Sequence, residues 1–335
     1  MQFTITSKRV RRLCALLVSA LACSQPLQAV PTDYTLISFD NDLFSGSDQD
    51  YTNGVRLSRI FADKSPDFLP SQLNPLADHL LPEQRGTING GWFLAQYMFT
   101  PEDTDRVDLG PHNRPYAGWL GGCVWLREGS QEHSRSIGLA LGMVGPSSLA
   151  EQTQHAVHSM LGGTKYPWND QLHDEPTLNL FLRDRRELTS GEALGFMPYS
   201  LHLELGADAG NIRSALLSRA LLRFGQYSGV YHFPTERFGP GPEILEESVD
   251  EGKFRLAGFV GVEGTATAND IFLDGNTWRD SHSVDRNTYV GTLVWGFDLR
   301  WKNWGLAYAF LHQTEEFKGQ NGVHSWGSLV LGISF

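Results

Sequence analysis

The chain has 335 residues, 41% of them apolar, 19% charged and 11% aromatic, with a formal net charge of −11 and a mean hydropathy of −0.27. That apolar content with so little charge excludes disorder, and beyond the N-terminus no run of about 18 uncharged apolar residues could form a membrane-spanning helix. The acidic balance speaks against a nucleic-acid partner and suits divalent cations.

Lys8, Arg9, Arg11 and Arg12 precede the short apolar stretch Leu13 to Ala22, with a cleavage site near Leu27-Gln28-Ala29. A basic region followed by an apolar one too short to span a bilayer reads as an export signal. Residues 1–29 are therefore expected to be removed, leaving 30–335 as one domain. The segment carries four basic and no acidic residues, so its loss takes the net charge from −11 to −15. It also carries Cys14 and Cys23, so Cys123 is expected to stand alone, with no internal disulfide.

The rest alternates with period two, the mark of half-buried strands. Strands are predicted at 34–40, 51–61, 88–99, 116–127, 134–144, 175–185, 197–207, 213–226, 252–263, 286–300, 304–314 and 324–335. Large apolar residues such as Leu201, Leu203 and Leu205 alternate with small or polar ones, as a lipid-facing exterior and a packed or wet lumen require. The chain ends on Phe335, in line with Leu329, Leu331 and Ile333. Twelve is an even number, as a closed antiparallel transmembrane barrel needs. The segment 213–226 also fits a helical period, through Ile212, Leu216, Leu217, Ala220 and Leu221. The Pro/Gly/polar stretches 62–87, 101–115, 228–250 and 264–285 are expected as extracellular loops, with shorter joins at the periplasmic end. A soluble periplasmic β-sandwich is the alternative.

One helix interrupts the strands, at about 147–162. Ser148-Leu149-Ala150-Glu151 follows Pro146 as a capping box, and Gly162-Gly163 supplies the stop. Leu149, Thr153, Ala156, Val157 and Met160 share one side; Glu151, Gln154, His155 and His158 share the other. Gln154 and His158, spaced i,i+4, can address one small volume, His158 as general base and Gln154 positioning water or stabilising an oxyanion. A solvated polar helix face fits the same spacing. Near the start, Asp40-Asn41-Asp42 and Asp48-x-Asp50-Tyr51-Thr52-Asn53-Gly54 flank a short connection. Their oxygens suit Ca²⁺, and an ordinary Asx/Gly turn fits them equally. No EF-hand spacing, P-loop, dinucleotide fingerprint or zinc motif is present.

Seven blocks in order carry more than any one. They are Phe39-Asp40-Asn41-Asp42, Asp50-Tyr51-Thr52-Asn53-Gly54, Gln96-x-x-Phe99-Thr100-Pro101, Arg114-Pro115-Tyr116-Ala117-Gly118-Trp119, Gly142-x-x-Gly145-Pro146, Gln154-x-x-x-His158 and Trp168-x-x-Gln171-Leu172. With them the chain resembles the outer-membrane lipid A 3′-O-deacylases from about residue 34 to Phe335. The resemblance implies a twelve-stranded barrel in the bacterial outer membrane that hydrolyses the ester-linked acyl chain or acyloxyacyl group at the 3′ position of lipid A, with Ca²⁺. It implies Asn41, Thr52, Gln154, His158 and Tyr166 as catalytic, Asp42 as metal ligand and Arg106 as the basic residue holding substrate. Thr164 stands where the family can carry Glu. The partner implied is lipid A or lipopolysaccharide in the outer leaflet, met by a monomer. A phospholipase-type esterase and a non-enzymatic barrel such as a porin are the competing functions; no serine-dependent phospholipase motif is found.

Overall fold

A computed structural model describes residues 33–42, 50–61, 87–102, 110, 112–130, 132–161, 166–226, 230–231, 233, 235–241, 243–244 and 254–335. The export signal predicted at 1–29, Arg106 and Thr164 lie outside the described residues. Twelve strands close into one antiparallel barrel. In chain order they are β1 (Tyr34–Asn41), β2 (Asp50–Phe61), β3 (Thr87–Thr100), β4 (Ala117–Gly129), β5 (His133–Val144), β6 (Glu175–Ala193), β7 (Met197–Gly210), β8 (Arg213–Gly225), β11 (Phe254–Asp270), β12 (Tyr289–Trp301), β13 (Trp304–Gln313) and β14 (His324–Ser334). Between β8 and β11 sits a two-residue ladder of β9 (Val230–Tyr231) and β10 (Glu243–Ile244). The closing seam pairs β1 with β14, Tyr34 opposite Ser334.

Alternation decides what each face meets. On β1, Leu36, Ser38 and Asp40 are buried, while Ile37 and Phe39 are exposed. Leu57, Leu94, Leu120, Leu141 and Leu178 continue the exposed apolar surface around neighbouring strands. A belt this continuous is a lipid-facing one. Phe254, Trp301 and Trp304 are exposed cross-strand neighbours at the end where both termini lie, as an interfacial aromatic girdle would be. The segment 213–226 is a strand, because its alternate residues Ala215, Leu217, Arg219 and Leu221 are buried between β7 and β11.

Two of the expected extracellular loops belong to the other end. Antiparallel strands alternate in direction, so the connection after β2 and the one after β8 both lie at the terminus end, with the turns 130–132, 194–196 and 302–303. The far end carries the connections 42–49, 101–116, 145–174, 211–212, 271–288 and 314–323. The expected loop 264–285 is shorter than predicted, because β11 runs on to Asp270 before a short helix, α2 (Ile271–Asp274).

The connection after β8 turns inward. Beyond the β9/β10 stem, Phe233, Thr235, Glu236, Phe238, Gly239 and Pro240 are buried inside the barrel. Arg183 pairs with Asp208 at 2.6 Å and with Glu236 at 2.8 Å. Arg219 pairs with Glu204 at 2.7 Å and with Glu236 at 2.8 Å, and also with Glu263. Burial by itself would raise the Glu236 carboxyl, but the Arg183, Arg219 and Arg213 guanidiniums outweigh it and hold it well below the usual carboxylate range. Phe238 meets Tyr97 and Trp119 edge-on, with centroids 5.1 and 5.2 Å apart, and stacks on Phe272 of α2 at 5.4 Å. The lumen is thus filled by protein over this stretch.

Candidate active site

The barrel register places the first half of the site. Asn41 lies opposite Asn53, Asn53 opposite Met98, and Met98 opposite Gly118, a single row across β1, β2, β3 and β4. Tyr97 and Phe99 point into the lumen, where they meet Phe238 and Phe272. Met98 between them therefore points outward, yet it is only 3% exposed. Tyr116, Ala150 and Trp168 cover it. The row is a patch of outer wall roofed by the far-end connection 145–174.

A β-bulge at Tyr51/Asn53 inserts Thr52 into β2 as an extra residue. Tyr51 keeps its lumenal position, while the Thr52 hydroxyl lies 2.5 Å from that of Thr100. Thr100 and Asp42 are fully buried, and Asn41 and Thr52 nearly so.

The roof is built locally. After β5, Gly145 at φ 101° leads into a 3₁₀ turn, Pro146–Ser148, and then α1 (Ala150–Leu161). The expected capping box does not form: the Ser148 hydroxyl donates to Gly145 O at 2.6 Å, and Leu149 adopts a left-handed φ of 60° between the two helices. Asp174 accepts from the Ser147 amide and hydroxyl, both at 2.7 Å, tying the two ends of the connection together. Gln96 on β3 donates to Ser148 O at 2.6 Å. The close approach needs Gly118, since a Cβ there would lie 2.1 Å from Ser148 Oγ and 2.3 Å from Ala150 Cβ.

This docking turns the polar side of α1 toward the wall. Gln154 is 4% exposed, whereas Leu149 and Val157 are 51% and 45% exposed on the outer side. Gln154 is therefore withdrawn from solvent, while Glu151, His155 and His158 stay half-buried. The Trp168 indole donates to Gln154 Oε1 at 2.7 Å. An indole N–H can only donate, so the amide orientation is settled and Nε2 becomes the outstanding group. That N–H₂ is buried with no hydrogen-bond partner among the described residues. His158, one turn on and half-buried, packs edge-to-face against Tyr166, with ring centroids 5.4 Å apart. The Tyr166 carbonyl lies 2.9 Å from His155 Nε2, which fastens the returning chain to the helix.

The structure brings Gln154, His158 and Tyr166 together on the roof; Asn41 and Thr52 lie on β1 and β2, along the wall that runs through Met98 to Gly118 beneath it. Trp168, Thr100 and Gly118 complete the arrangement; each lies in one of the quoted blocks, but no spacing rule marks their roles. Arg114 is buried against Glu316 at 3.1 Å, joining two far-end connections. Among the described residues no three His, Cys, Asp or Glu side chains converge on a metal position. The donors at hand are the buried Asp42 carboxylate and the Asn41 and Thr52 oxygens, hard ligands that fit Ca²⁺ in kind.

The sequence profile of a family described as outer membrane protein LpxR matches residues 12–335. Among solved structures, LpxR from Salmonella typhimurium superposes with a TM-score of 0.72 at 19% identity, covering 90% of this chain and all of that one, which establishes the shared fold. The β domain of the Bordetella autotransporter BrkA gives a TM-score of 0.45 at 10% identity, over 92% of this chain and 100% of that one. A KdgM porin gives 0.36 at 10%, over 91% and 99%. No curated protein matches the sequence.

Proposed function

The chain belongs to the LpxR family of outer-membrane proteins, and from that premise we propose that it is a lipid A 3′-O-deacylase. The observation that carries the reading is the Gln154 Nε2–H₂ group, an orphaned donor locked in place by Trp168 one helical turn from His158. Leaving a buried donor unpaired costs about 1–3 kcal/mol, a cost that an oxyanion arriving in the reaction would remove.

His158 takes a proton from water, and the hydroxide oxygen attacks the ester carbonyl carbon. The carbonyl oxygen gains negative charge and accepts from Gln154 Nε2. Collapse breaks the bond between the carbonyl carbon and the sugar oxygen. His158 returns its proton to that oxygen, leaving a free fatty acid and a 3′-hydroxyl. Tyr166 holds the His158 ring edge-on, and Thr52, braced by Thr100, lines the wall beside Asn41. Asp42 and Asn41 would hold Ca²⁺, which when bound supplies Lewis-acid stabilisation of developing negative charge. Arg106 would clamp a lipid A phosphate.

A porin reading has no use for the roof and is opposed by the inserted segment around Glu236. The test is to offer the purified protein lipid A and phospholipid side by side and follow acyl release by mass spectrometry. Loss of the 3′ chain from lipid A supports the assignment; release from phospholipid alone would replace it.

A further inference from the structure

Asn41, Thr52 and its hydroxyl partner Thr100 sit on β1–β3 at the outer wall, and the inner face of the same wall is touched by Arg237 of the inserted segment. The Arg237 main chain is pinned to the lumen wall: its carbonyl accepts from Tyr97 Oη at 2.6 Å and from Arg56 Nη1 at 3.4 Å. From there its guanidinium lies 3.8 Å from the Tyr51 ring centroid, 4.8 Å from that of Trp326 and 6.0 Å from that of Phe99. No carboxylate pairs with it among the described residues. It is held instead by aromatic faces, a cation–π arrangement.

Two of these contacts lead to the site. Tyr51 immediately precedes the bulged Thr52, and its hydroxyl donates to Asp40 at 2.7 Å. Asp40 immediately precedes Asn41 and Asp42. Phe99 immediately precedes Thr100, the hydroxyl partner of Thr52. Successive strand residues point to opposite faces, so fixing the inward member of each pair fixes the outward one. The bulge makes this necessary, because an extra residue interrupts the ladder that would otherwise hold Thr52.

We propose that Arg237, delivered from the terminus end of the barrel, is a positioning residue for the outer-face site: by clamping Tyr51 it sets Thr52, Asn41 and Asp42 in their working places. The proposal rests on the deacylase reading above. A displacement of about 1 Å in a catalytic arrangement can cost about 100-fold in rate.

The test measures kcat and KM for lipid A deacylation by the full-length protein and by Arg237→Met and Arg237→Lys, with folding checked by heat-dependent gel mobility. Arg237→Met, which keeps the stem and removes the cation, is expected to lower kcat about ten- to 100-fold with KM little changed. Arg237→Lys, which keeps a cation, should recover most of it. Unchanged kcat in Arg237→Met, or equal losses in both variants, would overturn the role. Should Arg237→Met not fold, Tyr51→Phe keeps the ring and removes only the bond to Asp40; a folded Tyr51→Phe with full kcat would overturn it too. A wild type inactive on lipid A would instead sink both readings.

Discussion

The Trp168 indole N–H donates to Gln154 Oε1 at 2.7 Å, and this one bond decides which end of the amide is left for the substrate. Trp168→Phe keeps the ring against Met98 and Tyr116 but frees the amide to rotate. We expect kcat to fall about tenfold, less than the 10²–10³-fold expected when Gln154→Leu removes the donor itself. Steady-state kinetics of the two variants should give that order; equal losses would show that Trp168 acts by packing alone.

His158→Ala should abolish release of the 3′ chain while the barrel still folds, because the ring is half-buried on the roof and outside the barrel core. Lipid A mass spectra from cells expressing each form decide it. An unchanged product would remove His158 as the base.

Chelation should stop the reaction and added Ca²⁺ should restore it. Asp42→Asn should raise the Ca²⁺ concentration needed for half-maximal rate, since it removes the charged oxygen ligand. Titration of activity against free Ca²⁺ tests both, and full activity in excess EDTA would exclude the metal.

Gly118→Ala should lower activity by lifting α1 from the wall, because the added carbon would fall 2.1 Å from Ser148 Oγ. Overpacking of this kind costs about 1–3 kcal/mol, which the barrel ladders can bear. Retained heat-dependent mobility with lost deacylation is the expected pair of results.

Glu236 offers a pH test. A carboxyl held below its ordinary value contributes stability that is full above the unfolded pKa of about 4.3 and declines progressively as pH falls from there through the lower native value. The lumenal pairing should therefore persist at about pH 4, where exposed carboxyls are already taking up protons. Glu236→Ala should destabilise the protein at pH 7 by about 1–3 kcal/mol, because Arg183 and Arg219 lose their shared partner but keep Asp208, Glu204 and Glu263. Thermal unfolding of both proteins at the two pH values measures this; a gap between wild type and variant that vanishes at the acid value would contradict it.

Strand identity was legible because Leu, Ile and Phe alternate with small residues over most of the wall. The side of each loop was legible as well, through strand parity, although loop length and Pro/Gly content pointed the other way for 62–87 and 228–250. The inward fold of residues 233–241 left no such trace. Its Thr, Glu and Arg look like loop residues, and their partners Arg56, Arg183 and Arg219 are scattered along the chain. Gln154 and His158 were legible as a pair by their spacing. Which way they face was not, since the exposed Leu149 and Val157 reverse the usual rule that a helix buries its apolar side. That rule assumes water outside, which need not hold beside a lipid-facing barrel wall.

On the deacylase reading, a roof strapped to the outside of the wall would let a fatty chain reach His158 without crossing into water. Encounter then becomes a two-dimensional search within one leaflet, and turnover should follow the mole fraction of substrate in that leaflet, with bulk concentration immaterial. A released fatty acid would stay in the same layer, so diluting the surface with inert lipid should slow the reaction as surely as removing substrate.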